Sequence, residues 1–105
     1  MIKILKQLFK SEPEPEYSEL LKNGGIIIDV RSKNEYAMGH IKGSKNIPLN
    51  SLPNAMGKLK KKDQPIITCC ASGRRSSSAK SILRNHGYTD VHNGGGWRNL
   101  QNKLS

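Results

Sequence analysis

The chain is poor in cysteine and in acidic residues. Its two cysteines, Cys69 and Cys70, are adjacent. Neighbouring cysteines do not make a disulfide framework, and a bond between them needs a strained adjacent-residue ring. The pair therefore suits a reducing, cytoplasmic setting. No apolar run is long enough to span a membrane, so no integral membrane segment is expected. Aromatic residues make up only 5% of the chain. None interleaves with a basic stretch, which argues against nucleic acid as a partner. No zinc-ligand spacing appears, and the reading calls for no metal and no cofactor. Aspartate and glutamate number 8 against 18 lysines and arginines, a formal net charge of +10. With nucleic acid set aside, that charge suits small anionic substrates. The lysines are spread out, and the one local run, Lys60-Lys61-Lys62, reads as a solvated surface.

What is present is enough for one modest core in 105 residues. Met1 to Lys10 is basic and apolar at helical spacing (Ile2, Ile4, Leu5, Leu8, Phe9). It has neither an apolar signal core nor a small-residue cleavage site. A short amphipathic helix packed on the domain is expected there, with peripheral membrane contact as the minor alternative. Ser11 to Glu16 is a proline-punctuated acidic linker. The chain thus divides into an N-terminal segment and linker, 1–16, and one domain, 17–105.

Within that domain, Tyr17 to Lys22 predicts a short helix stopped by Asn23-Gly24-Gly25. Ile26 to Val30 is the strongest strand, and its unbroken β-branched run predicts burial on both faces of a parallel sheet. Asp29 and Arg31 at its exit read as a supporting pair, since buried charges need partners. Ser32 with Glu35 is a capping box for a helix over 33–38. His40, between glycines, reads as a loop-orienting residue rather than an acid or base. Asn46 to Leu49 predicts a short extended piece, and Ser51 a cap for a helix from Leu52 to about Lys60. Pro65 to Thr68 predicts a second buried strand. Ala79, Ile82, Leu83 and His86 then recur at helical spacing up to Gly87. Thr89 to Asn93 predicts a third strand, Gly94-Gly95-Gly96 a loop after it, Trp97 a closing aromatic, and Arg98 to Leu104 a last helix. Alternating strands and helices imply an α/β fold: a small, largely parallel central sheet with helices on both faces. Ligands in such sheets bind at the carboxyl ends of the strands.

The stretch Cys70-Ala71-Ser72-Gly73-Arg74-Arg75-Ser76 lies at such an end. A cysteine closing an apolar strand is commonly a small buried hydrophobe. Here a tight loop, a helix N-terminus and two arginines follow it. Together they favour a thiolate and hold an anion. Side chains alternate along a strand, so if one of Cys69 and Cys70 faces the loop the other faces the core.

These residues resemble the rhodanese family, specifically its single-domain members. The resemblance runs over 17–104. It rests on Ile28-Asp29-Val30-Arg31, Glu35-Tyr36, Gly39-His40-Ile41, Gly43-Ser44 and Asn46 to Leu49, on the loop from Cys70 to Ser76, and on Asn93-Gly94-Gly95 with Trp97. It implies a sulfurtransferase in which Cys70 carries a persulfide. The donor would be thiosulfate or a similar small anion, and the acceptor a thiol, cyanide or a protein. Ala71, Ser72, Gly73, Arg74, Arg75 and Ser76 would bind the substrate, with Arg75 and then Arg74 drawing the sulfonate. Cys70→Ser is expected to abolish transfer and Cys69→Ser to retain most of it. Related phosphatases and arsenate reductases use Cys-x5-Arg, a spacing that Cys69 and Arg75 also meet. The match of Gly73 to Ser76 to the family's Gly-x-Arg-Ser places the nucleophile at Cys70 instead. A persulfide carrier or a docking module for a redox partner is the alternative without turnover.

Overall fold

A computed structural model describes residues 14–105. The helix expected over Met1 to Lys10 lies outside the described residues. Four strands, β1 (Ile26–Asp29), β2 (Lys45–Asn46), β3 (Ile66–Cys70) and β4 (Val91–Gly96), form one parallel sheet in the order β2-β1-β3-β4. Among the described residues, four α-helices flank it: α1 (Tyr17–Lys22), α2 (Lys33–Ala37), α3 (Arg74–Asn85) and α4 (Trp97–Leu104). A 3₁₀ helix spans Leu49–Lys58.

The two central strands are apolar without alternation because both sheet faces are covered. All five residues of β3 are buried. Successive side chains go to opposite faces. Ile28, Ile66, Cys70 and Val91 join Leu52 and Leu59 on one side, with Ala79 and Leu83 of α3. Ile27, Ile67 and Cys69 join Tyr17 of α1 and Leu100 of α4 on the other. This is the α/β layering expected. Among the described residues no helix is long and apolar enough to cross a membrane.

Three local expectations are corrected. First, Ser51 does not cap an α-helix from Leu52: it is exposed and lies inside the 3₁₀ helix, which starts behind Pro48. Pro53 and Gly57 disfavour an α-helix there. Residues three apart eclipse in 3₁₀ geometry, so Leu49, Leu52 and Ala55 line up toward the core. Second, His86 does not join the inward stripe of α3; it is exposed, just beyond the helix end. Third, the glycine triplet is no loop. It forms the second half of β4, with Gly96 paired to Cys70 after an irregularity in the β3–β4 register.

Gly94 shows why glycine is needed there. A Cβ at Gly94 would lie 2.9 Å from Ile67 Cγ2, from Leu100 Cδ2 and from the Thr68 carbonyl oxygen. The last is backbone and cannot swing aside. Gly94→Ala is therefore expected to cost about 1–3 kcal/mol through overpacking, read as a lower denaturant midpoint at unchanged slope.

Candidate active site

The loop between β3 and α3 curls around one sulfur atom. Cys70 ends β3 and is 1% exposed. Gly73 N–H donates to its Sγ at 3.0 Å and Ser76 N–H at 3.3 Å. Ser76 Oγ lies 3.4 Å from the same sulfur. Gly73 makes the curl with φ of 104°, a left-handed conformation that glycine adopts without a Cβ penalty. It immediately precedes the twelve-residue α3, whose N-terminal end adds partial positive charge.

These contacts decide the state of the thiol. Burial alone pushes the Cys70 pKa up. Hydrogen bonding with the Ser76 side chain and from the backbone N–H groups of Ser76, Ser72 and Gly73 outweighs it and brings the pKa below the usual thiol value. Cys69 meets the opposite fate. It faces the other core, among Tyr17, Ile27, Ile67 and Leu100. Burial first, then the charge of Asp29, pushes its pKa up to about 12. Both cysteines are free.

Of the other loop residues, Ala71, Ser72 and Arg74 are exposed and Ser76 is buried. Among the described residues no carboxylate pairs with Arg74. Arg75 turns away to Glu35, giving two hydrogen bonds of 2.7 and 2.9 Å to its two carboxylate oxygens. The same Glu35 closes the expected capping box: Ser32 Oγ accepts from Glu35 N–H, and Glu35 Oε1 accepts from Ser32 N–H. Glu35 thus ties α2 to the first turn of α3. The hydrogen bond from Arg75, followed by the Ser32 backbone bond, lowers its pKa from 4.5 to about 2.

A depressed carboxylate pKa gives stability that is present above the unfolded value and lost as pH falls through the folded one. The melting temperature is therefore expected to drop between pH 4.5 and about 2. It should drop more steeply than in Glu35→Gln, and the two curves should converge at the acid end. The pair is about a third exposed, so added salt should narrow the gap. Parallel curves for the two proteins would disprove the contribution.

Asp29 and Arg31 pair with each other at the exit of β1. Asp29 is fully buried and Arg31 is 4% exposed. Arg31 Nε and Nη2 donate to the carboxylate at 3.0 and 2.7 Å, and the Arg31 backbone N–H donates to Oδ1 at 3.0 Å. The remaining guanidinium donors reach the carbonyls of Gly39, at 2.7 Å, and Glu35, at 3.3 Å. Trp97 stacks over the guanidinium, 4.8 Å from ring centre to Cζ. The pair thus fixes the strand exit to the loop after α2. His40 stacks on Tyr36 and is exposed. Sequence reasoning missed Asn93 as a member of the site. Its Oδ1 accepts from Ser76 Oγ at 2.6 Å. The two lie 17 positions apart, and no local pattern links them.

The parallel α/β domain thus sets a thiol at a strand end, ringed by backbone N–H groups and followed by a helix N-terminus. The chain belongs to the rhodanese-like domain family, whose profile matches residues 14–103. It is 36% identical to the thiosulfate sulfurtransferase GlpE of Stutzerimonas stutzeri (strain A1501) over 85 residues, 80% of this chain and 76% of that protein. Among solved structures it is similar to a rhodanese with anions from E. coli (36% identity, TM-score 0.68, 71% of this chain and 89% of that one). It is likewise similar to the human single-domain sulfurtransferase TSTD1 (31% identity, TM-score 0.69, 85% and 91%).

Proposed function

We propose that this chain is a sulfurtransferase working through a persulfide on Cys70. The observation that carries the reading is the sulfur itself: Cys70 Sγ accepts from two backbone N–H groups at 3.0 and 3.3 Å, just before a helix N-terminus. That arrangement stabilises a thiolate and any anion that replaces it.

The Cys70 thiolate attacks the outer sulfur of thiosulfate. A Cys70 S–S bond forms, the bond to the sulfonate sulfur breaks, and sulfite leaves with the electron pair. An acceptor thiolate, cyanide or a protein thiol then attacks the outer sulfur, and the Cys70 thiolate leaves in turn. Ala71, Ser72 and Gly73 line the loop, and its N–H groups hold the negative charge. Arg74, exposed at the start of α3, draws the donor's sulfonate. Arg75, held in its bidentate pair with Glu35, acts on the Cys70 charge through space rather than as a free anion ligand. The net charge of +10 speeds capture of the anion at low salt.

The placement of Cys69 in the opposite core, with its pKa about 12, speaks against counting a phosphatase loop from that residue. The test is the intact mass of the reduced protein after thiosulfate, read before and after cyanide. A gain of one sulfur, removed by cyanide, is expected. No gain, with donor in excess and the thiol shown to be free, would sink the reading. A gain that cyanide removes only once, with no continuing thiocyanate release, would replace the enzyme by a carrier.

A further inference from the structure

We propose that Asn93 is a positioning residue for Cys70: its side-chain amide holds Gly73 and Ser76, the two residues whose backbone N–H groups face the sulfur. This rests on the reading of Cys70 as the nucleophile. Asn93 sits on β4 and does not touch Sγ. Its Oδ1 accepts from Ser76 Oγ at 2.6 Å and from Gly95 N–H at 2.9 Å. Its Nδ2 donates to the Gly73 carbonyl at 3.4 Å. One amide therefore grips the loop at both residues that bond the sulfur. Gly73 presents its N–H to Sγ at 3.0 Å, and Ser76 presents N–H at 3.3 Å with Oγ at 3.4 Å.

The grip matters because donors lower a thiol's pKa only while they are held on it. Gly73 has φ of 104° and no side chain of its own to fix it. The peptide on one side of its Cα points at the sulfur, and the carbonyl on the other side accepts from Ser77 N–H at 3.1 Å and from Asn93 Nδ2 at 3.4 Å. Asn93 is thus a second hold on that peptide, and losing it loosens the N–H on the sulfur. Ser76 Oγ is likewise shared between the Gly73 carbonyl at 3.1 Å and Asn93. Gly95 N–H completes the set from within β4, so the amide's carbonyl is anchored before it meets the loop. The groups that face the sulfur in this set come from the loop, and Asn93 is the link from the neighbouring strand.

The test is the pH profile of Cys70 alkylation by iodoacetamide, with the modified residue located by peptide mass. It needs no sulfur donor, so its outcome is separate from that of sulfur transfer. Asn93→Ala is expected to raise the apparent Cys70 pKa, read as the midpoint of the profile, by about one unit, and so to slow alkylation about 10-fold below that midpoint relative to the variant's own high-pH plateau. In a Ser76→Ala background the same substitution is expected to shift the profile by less than half as much, because part of its action runs through the lost hydroxyl. Asn93→Ser, too short to span to Gly73 and Ser76, is expected to give the same shift and serves if the alanine variant does not fold. An unchanged profile in a folded variant overturns the proposal. So does a full additional shift in the Ser76→Ala background, which is what a generally loosened β4 would give.

Discussion

Cys70→Ser is expected to bring thiocyanate formation from thiosulfate and cyanide down to the uncatalysed level, a loss of at least about 10³-fold. A serine hydroxyl in the same place is not ionised near neutral pH, and it cannot accept sulfur and return it. Cys69→Ser is expected to keep most of the activity and to lose stability instead. Its new hydroxyl lies in the core formed by Ile27, Ile67 and Leu100, where an unpaired polar group costs about 1–3 kcal/mol. The two variants thus separate chemistry from packing at adjacent positions. Rates measured beside thermal unfolding would show it. Activity that survives in Cys70→Ser and vanishes in a folded Cys69→Ser would move the nucleophile to the other face of the sheet.

The second large effect is expected at Asp29. Asp29→Ala would leave Arg31, 4% exposed, with no counter-charge. Removing one member of a buried pair costs about 3–5 kcal/mol. For a domain of this size that lowers the melting temperature by on the order of 20 °C. The loss should exceed that of replacing both partners by apolar residues, since then no charge is stranded. A double variant no more stable than Asp29→Ala would show that the carboxylate matters for something other than neutralising Arg31. Its hydrogen bond to the Arg31 backbone N–H is then the place to look.

The sheet and the sulfur loop were legible because their signals are local. Ile26 to Asp29 and Ile66 to Thr68 are β-branched runs that leave few alternatives to a buried strand. Ser32 and Glu35 announce a helix start within four residues. Gly73 and the serines after Cys70 mark a tight turn into a helix. What was not legible is long-range. Arg75 reads as a free cation in the loop until Glu35, 40 positions away, is brought beside it. Asn93 looks like a strand-end residue until the sheet order places β4 next to β3. Tyr88 gives no pattern at all, yet it is buried at 2% and donates its hydroxyl to the Leu59 carbonyl, joining the end of the 3₁₀ helix to β4's approach. The glycine triplet misled for a different reason. Composition says turn, but Gly94, packed against Leu100, and Gly96, against the Ala71 carbonyl, are there for small size, while Gly95, at φ of 79°, uses the freedom within a strand.

The 1% exposure of Cys70 has a kinetic consequence. A reagent in solution meets the sulfur only during fluctuations that part the loop, so the observed reaction rate is the chemical rate multiplied by the fraction of time spent open. Two electrophiles of similar bulk but different intrinsic reactivity should then be slowed by the same factor relative to a small free thiol. Once both rates are referred to the thiolate form, that common factor reads how often the doorway stands ajar, obtained from a stopwatch rather than from coordinates.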